Sequence, residues 1–149
     1  MADTEKLHFK IGLAGTYWNT HPIYSIFVND NNVVPPTKIT TASEEQFFVE
    51  FDVDVVEGPA VLKIRLENKT WRDTLQNEEK TEILKDMLLN IKSVEIDDID
   101  LANMIYTKSE FVGDDAERPV LDKCIDLGWN GTWSLPFESP FYIWLLENI

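Results

Sequence analysis

Apolar and polar residues alternate with a period of two along most of the chain, and clusters of Asn, Asp, Gly and Pro interrupt the alternation. Successive side chains of a strand point to opposite faces, so this pattern predicts antiparallel strands with one buried face. Leu7, Phe9, Ile11 and Leu13 share a face of the first strand, and Ile23 to Val28 forms a second that ends at Asn29-Asp30-Asn31-Asn32. The clearest case is Gln46 to Val55. Phe47, Val49, Phe51, Val53 and Val55 alternate there with Phe48, Glu50, Asp52 and Asp54, an apolar face backed by an acidic one. Glu57-Gly58-Pro59 breaks the run before Ala60 to Glu67, which sets Leu62, Ile64 and Leu66 against Lys63, Arg65 and Glu67. Adjacency predicts a hairpin in which Lys63 and Arg65 neutralise Glu50, Asp52 and Asp54 across the strands.

The segment from Asn68 to Asp86 departs from this period. The charge spacing from Glu78 to Glu82 and the apolar Ile83, Leu84 and Met87 predict one short helix inside an inserted loop. Strand pattern returns from Leu88 to Ile96, with a parity shift between Ile91 and Val94 that predicts a bulge near Ser93. Asp97-Asp98 reads as a turn and Gly113-Asp114-Asp115 as a loop, and the tail is expected to end in a terminal strand. Phe141 to Leu146 is apolar on both faces, which suits a central strand or a subunit contact. Without repeat or linker, residues 1–149 read as a single domain: all-β, an antiparallel β-sandwich of jelly-roll or Greek-key topology.

Composition narrows the function. With 13 Lys+Arg against 27 Asp+Glu the formal net charge is −14, a field that repels phosphate backbones and argues against nucleic acid as partner. No apolar run is long enough to span a bilayer, so no membrane insertion is expected. Met1-Ala2-Asp3-Thr4-Glu5-Lys6 lacks the layout of a secretory signal, and the single Cys124 agrees with synthesis in a reducing cytoplasm. His8 and His21 stand in no zinc or nucleophile motif, and nothing singles out two of the many carboxylates as an acid and base pair, so no enzyme and no catalytic residue is expected.

Three segments carry a resemblance. Gly15-Thr16 with Pro22 to Asp30, Gly58-Pro59 running to Asn68, and Asp86 running to Asp97-Asp98 occur in the order found in the calcium-dependent xylan-binding modules, and together span residues 9 to 101. The chain resembles that family in the order of its elements. The resemblance implies a β-sandwich that binds polysaccharide through a calcium ion held by loops, with Asn68 and Asp86 at the matching positions for the metal. Lys69 stands where the family usually has an Asp, and Met87-Leu88 where it has Arg-Asn.

Sugars stack their C–H faces on aromatic rings and need hydrogen-bonding neighbours for their hydroxyls. Tyr17 and Trp18 in one loop, and Trp71 with Asp73 in another, offer that mixture and are the expected ligand-binding residues; Trp129 to Trp133 is a further aromatic candidate. The same rings could instead cap the ends of the sandwich core. Two functional expectations follow. One is a non-catalytic carbohydrate-binding module, carried on the virion of a tailed phage and adhering to polysaccharide or host-surface glycans. The alternative is a purely structural part of a virus particle that contacts other virion proteins and has no glycan ligand.

Overall fold

The computed structural model describes residues 3–149; Met1 and Ala2, where the start was read for a leader, lie outside the described residues. The strands are β1 (Thr4–Thr16), β2 (Ile23–Val28), β3 (Asn31–Lys38), β4 (Phe47–Val56), β5 (Gly58–Leu66), β6 (Leu75–Gln76) and β7 (Ile83–Lys85). They continue as β8 (Leu88–Ile96), β9 (Ile99–Asp100), β10 (Glu110–Gly113), β11 (Leu121–Asp122), β12 (Asp126–Leu127) and β13 (Gly131–Ser139), with helices α1 (Met104–Thr107) and α2 (Phe141–Asn148).

One sheet runs β12-β8-β1-β4, with β9 beside β8, and the other β11-β10-β13-β5-β2-β3. All strand pairs in both are antiparallel. Neighbours such as β1 and β8, or β5 and β13, are distant in sequence, so the chain crosses repeatedly between the sheets, as the expected topology requires. The predicted inner faces are the core: Leu7, Phe9, Ile11 and Leu13 of β1 and Leu62, Ile64 and Leu66 of β5 have no exposed surface. Phe9 stacks on Phe51 at 5.1 Å between ring centroids and meets Phe137 edge-on at 6.1 Å.

Several local readings are realised. Asn29 and Asp30 form the two-residue turn between β2 and β3, Asn29 at φ +54°. Asp97 and Asp98 turn at φ +50° and +66°, the left-handed pair a tight hairpin requires. The bulge falls next to Ser93: Gly12 faces Ser93 but Leu13 faces Ile91, leaving Lys92 over.

Three expectations are corrected. The β4–β5 hairpin does not form, because the break at Glu57-Gly58 carries the chain to the other sheet. β4 pairs with β1, placing Lys6, His8 and Lys10 opposite Asp54, Asp52 and Glu50. Lys63 instead approaches Asp30 at 3.8 Å, and Arg65 pairs with Glu67 and Asp114. In the inserted loop the short helix is a single 3-10 turn at Trp71–Asp73, while residues 78–82 cap the ribbon of β6 and β7. The turn wins there because the Asn77 side chain accepts the backbone N–H groups of Thr81 and Glu82, closing a loop that a helix would open.

The terminal strand is helix α2. Phe141, Trp144 and Leu145 are buried at helical spacing, and Glu5 Oε1 accepts the Phe141 N–H at 2.7 Å, capping an end that Pro140 starts.

His8 lies on the outer face of β1, with Nδ1 2.6 Å from Asp52 Oδ1 and Nε2 3.0 Å from Glu50 Oε1. The hydrogen bond to Asp52, then that to Glu50, raises its pKa above the ordinary 6.5. A raised folded-state pKa means that the imidazolium favours the fold. This contribution is complete below about pH 6.5 and disappears as pH rises through the folded value. The His8 ring should therefore titrate by NMR with a midpoint above 6.5. The melting-temperature advantage of wild type over His8→Gln should be larger at about pH 6 than at about pH 9; a midpoint at or below the ordinary value contradicts the account.

Candidate functional site

At one end of the sandwich the loops leaving β5, β10 and β12 enclose a cleft of about 660 Å³ with the β6–β7 ribbon. Side-chain hydrogen bonds to the backbone hold these loops in place. Asn68, at the end of β5, accepts the Ile23 N–H at 2.8 Å and donates to His21 O at 3.0 Å, fixing where the loop begins. Asn130 grips the next residue from both sides: its Oδ1 accepts the Lys69 N–H at 2.7 Å, and its Nδ2 donates to Lys69 O at 2.9 Å. From the third loop, the Asp114 N–H donates to Asn130 O at 2.9 Å. Asp114 is also held by both terminal nitrogens of Arg65, at 3.1 and 2.9 Å.

The Trp71–Asp73 turn is closed by a capping box. Asp73 Oδ2 accepts the Thr70 N–H at 2.8 Å, and Thr70 Oγ1 accepts the Arg72 N–H at 3.3 Å. The cap sends Trp71 outward with 81% of its surface exposed. The Arg72 guanidinium lies 5.3 Å from its ring centre. Across the cleft Trp129 lies flat on Gly113, where an added Cβ would come within 2.5 Å of the indole nitrogen, and Arg118 covers the ring at 4.5 Å. A side chain at position 113 would displace the indole, which accounts for glycine there.

Lys69 and Asp86 form the floor. The Lys69 side chain is only 10% exposed, and its Nζ lies 2.7 Å from Asp86 Oδ1 and 2.5 Å from Gly128 O. Asp86 Oδ1 also accepts from Thr74 Oγ1 at 2.7 Å and from the Met87 N–H at 2.9 Å. Burial alone would raise the Asp86 carboxyl; the hydrogen bonds from Lys69, Thr74 and Met87, with the lysine charge, outweigh it and hold the pKa below the ordinary value.

The expected site residues are thus divided among three roles. Trp71 is exposed on the cleft. Trp18 is 41% exposed beside it, with its Nε1 donating to Asp73 O at 2.9 Å and Lys85 5.4 Å from its ring centre. Asp73, expected to meet ligand, is instead buried and spent on the cap. Tyr17 packs against His21 and donates its hydroxyl at 2.6 Å to Thr41 O in the loop between β3 and β4, away from the cleft lining. Of the second aromatic cluster Trp129 lines the cleft, while Trp133 is a core residue that donates to Cys124 O.

The donor set around Asn68 and Asp86 does not fit a calcium ion. Asn68 Oδ1 accepts the Ile23 N–H at the far side of the loop, and the Lys69 ammonium lies 2.7 Å from Asp86 Oδ1, a positive charge where a calcium ligand would face the ion. Among the described residues no three His, Cys, Asp or Glu side chains come together to hold a metal. Asn130 lay within the Trp129 to Trp133 candidate and Gly113 in an expected loop, but nothing in the sequence joined them, or Arg118, to the segment at Lys69, since only the fold brings positions 69, 113 and 130 together.

No protein-family model matches the chain, and no curated protein matches it in sequence. Among solved structures it is similar to "vCBM60 in complex with galactobiose", with a TM-score of 0.53 and 12% identity over 86% of this chain and 96% of that one. The two share a fold. That fold is an antiparallel β-sandwich, and no helix among the described residues is long and apolar enough to cross a membrane.

Removing the Asn130 amide strands the Lys69 backbone N–H and C=O and loosens the link between the loop after β5 and the loop after β12, while the backbone bond from Asp114 remains. Asn130→Ala should lower the unfolding free energy by about 1–3 kcal/mol in denaturant titration. It should also speed exchange of the Lys69 amide proton; unchanged exchange would show that Asn130 does not hold the loop.

Proposed function

We propose that this chain is a non-catalytic glycan-binding module and that the loop cleft is its binding site. The supporting observation is Trp71, a large aromatic ring held out at 81% exposure on a cleft that joins apolar Ile83 and Trp129 to Thr70, Thr74, Gln76, Asn130 and charged groups. Exposing an indole costs hydrophobic stabilisation, so a fold that caps a turn to display one is suited to a ligand with an apolar face. A pyranose has such a face together with hydroxyls that match the amide and hydroxyl rim. The neighbouring structure's galactobiose complex supports a saccharide as the ligand class.

A specific feature favours the second reading, an assembly part of a virus particle. The outer face of α2 leaves Tyr142, Ile143, Leu146 and Ile149 at least half exposed. A virion protein that adheres to host-surface glycans satisfies both readings, because the cleft and α2 are separate surfaces.

Purified protein should bind glycans on an array. Trp71→Ala should weaken the best binder at least tenfold, or about 1.4 kcal/mol, since stacking on that ring is lost. Its melting temperature should stay within about a degree of wild type, because the ring buries little. Failure to bind any glycan would favour the assembly role.

A further inference from the structure

Lys69 occupies the cleft floor in an arrangement that ordinary surface lysines do not share. Its ammonium is nine-tenths buried and held in place by Asp86 Oδ1 and Gly128 O, and its backbone is gripped on both sides by Asn130. An ammonium carries three N–H donors. Two are accounted for, and the third has no protein partner among the described residues, while the side chain lines the open cleft below Trp71.

We infer that the Lys69 ammonium is the fixed cationic centre of the site, donating its remaining N–H to a hydroxyl oxygen of a neutral glycan, so that recognition needs no calcium. This rests on the glycan-binding reading above. The charge disagrees with a metal at the same place: a divalent ion bound to Asp86 Oδ1 would lie close to an ammonium 2.7 Å from that oxygen, and the two like charges would repel. A lysine so held offers what a bound cation would, a positive charge at a fixed point with a free direction for a ligand oxygen. The ammonium cannot also bind two adjacent hydroxyls as a large ion can, so affinity must come from one strong charge-assisted bond and stacking on Trp71.

Neutral sugars are specified by the surrounding charges. Asp86, Asp114 and Asp115 line the cleft against Lys69 and Arg118, and the chain as a whole carries −14. Asp86 already neutralises Lys69 and Asp114 is paired with Arg65, so a uronate finds no counter-charge in Lys69 and meets the repulsion of the chain's overall negative charge.

The test is calorimetric binding of galactobiose, xylohexaose and an oligogalacturonate to the full chain, each in calcium and in chelator, alongside melting curves in both buffers. The expected results are equal affinity for a neutral oligosaccharide in both buffers, binding of the oligogalacturonate at least tenfold weaker, and a melting temperature that calcium does not move. Lys69→Met should reduce neutral-glycan affinity at least tenfold. Because that change strands Asp86, the double variant Lys69→Met/Asp86→Leu serves as a matched control: it removes both charges and should fold, yet still fail to bind. Binding that requires calcium, or a melting temperature raised by it, overturns the lysine assignment and leaves the glycan reading standing. Undiminished binding by the double variant does the same. Tighter binding of the oligogalacturonate overturns the neutral class. No binding of any probe in either buffer overturns the glycan reading itself, and the assignment with it.

Discussion

Burial of two alternating apolar faces against each other is the constraint from which the rest follows. Leu7, Phe9, Ile11 and Leu13 on one side, and Leu62, Ile64, Leu135 and Phe137 on the other, are each at most 2% exposed. A slip of one residue in β1 or β5 would place Lys10, Lys63 or Arg65 in the core, so register there is fixed by a large energy difference. Fixed register carries precise consequences to the strand ends. Gly131 sits opposite Gly113, where a Cβ would collide with the carbonyl oxygen of Val112, and this close approach sets where Asn130 meets Lys69 and where Asp114 meets Arg65.

The strands themselves were legible because each is decided by its own residues. Period two in β1, β4, β5 and β8 reports which face is buried whatever the partner is, and Asp97, Asp98 and Asn29 report turns by tolerating positive φ. Pairing was less legible, because it is decided between segments. The acidic face of Glu50, Asp52 and Asp54 needed cations across a strand, and both Lys63/Arg65 and Lys6/His8/Lys10 had the right spacing. Proximity in sequence favoured the first; the fold uses the second. The apolar run of α2 misled for a related reason: Phe141 to Leu146 satisfies either period, and only the Glu5 carboxylate, more than 130 residues earlier, supplies the cap that makes a helix start there.

The site shows the same division. Trp71 and Trp18 were visible as aromatic residues among polar neighbours, yet nothing in those neighbours told that Asp73 would turn inward to hold the loop while Trp71 turned outward. An Asp three residues after Thr70 could be ligand or cap, and the capping geometry decides for the cap. Lys69 stood out only as a departure from a resemblance, and its significance depends on Asp86, Gly128 and Asn130 arriving from three other places in the chain.

A cleft organised on a lysine behaves differently from one organised on an ion. An ion's occupancy follows its free concentration, so a metal-dependent site weakens wherever the metal is scarce. A tethered ammonium is always present, and its entropy of placement is met during folding, when Asp86 and Gly128 O take up two of its donors. The cost is a pair of partly buried charges that contributes little net stability by itself, since desolvation offsets attraction. Such a pair is retained at small thermodynamic advantage to the fold, which is the pattern expected of groups whose benefit appears only when a ligand oxygen completes the third bond.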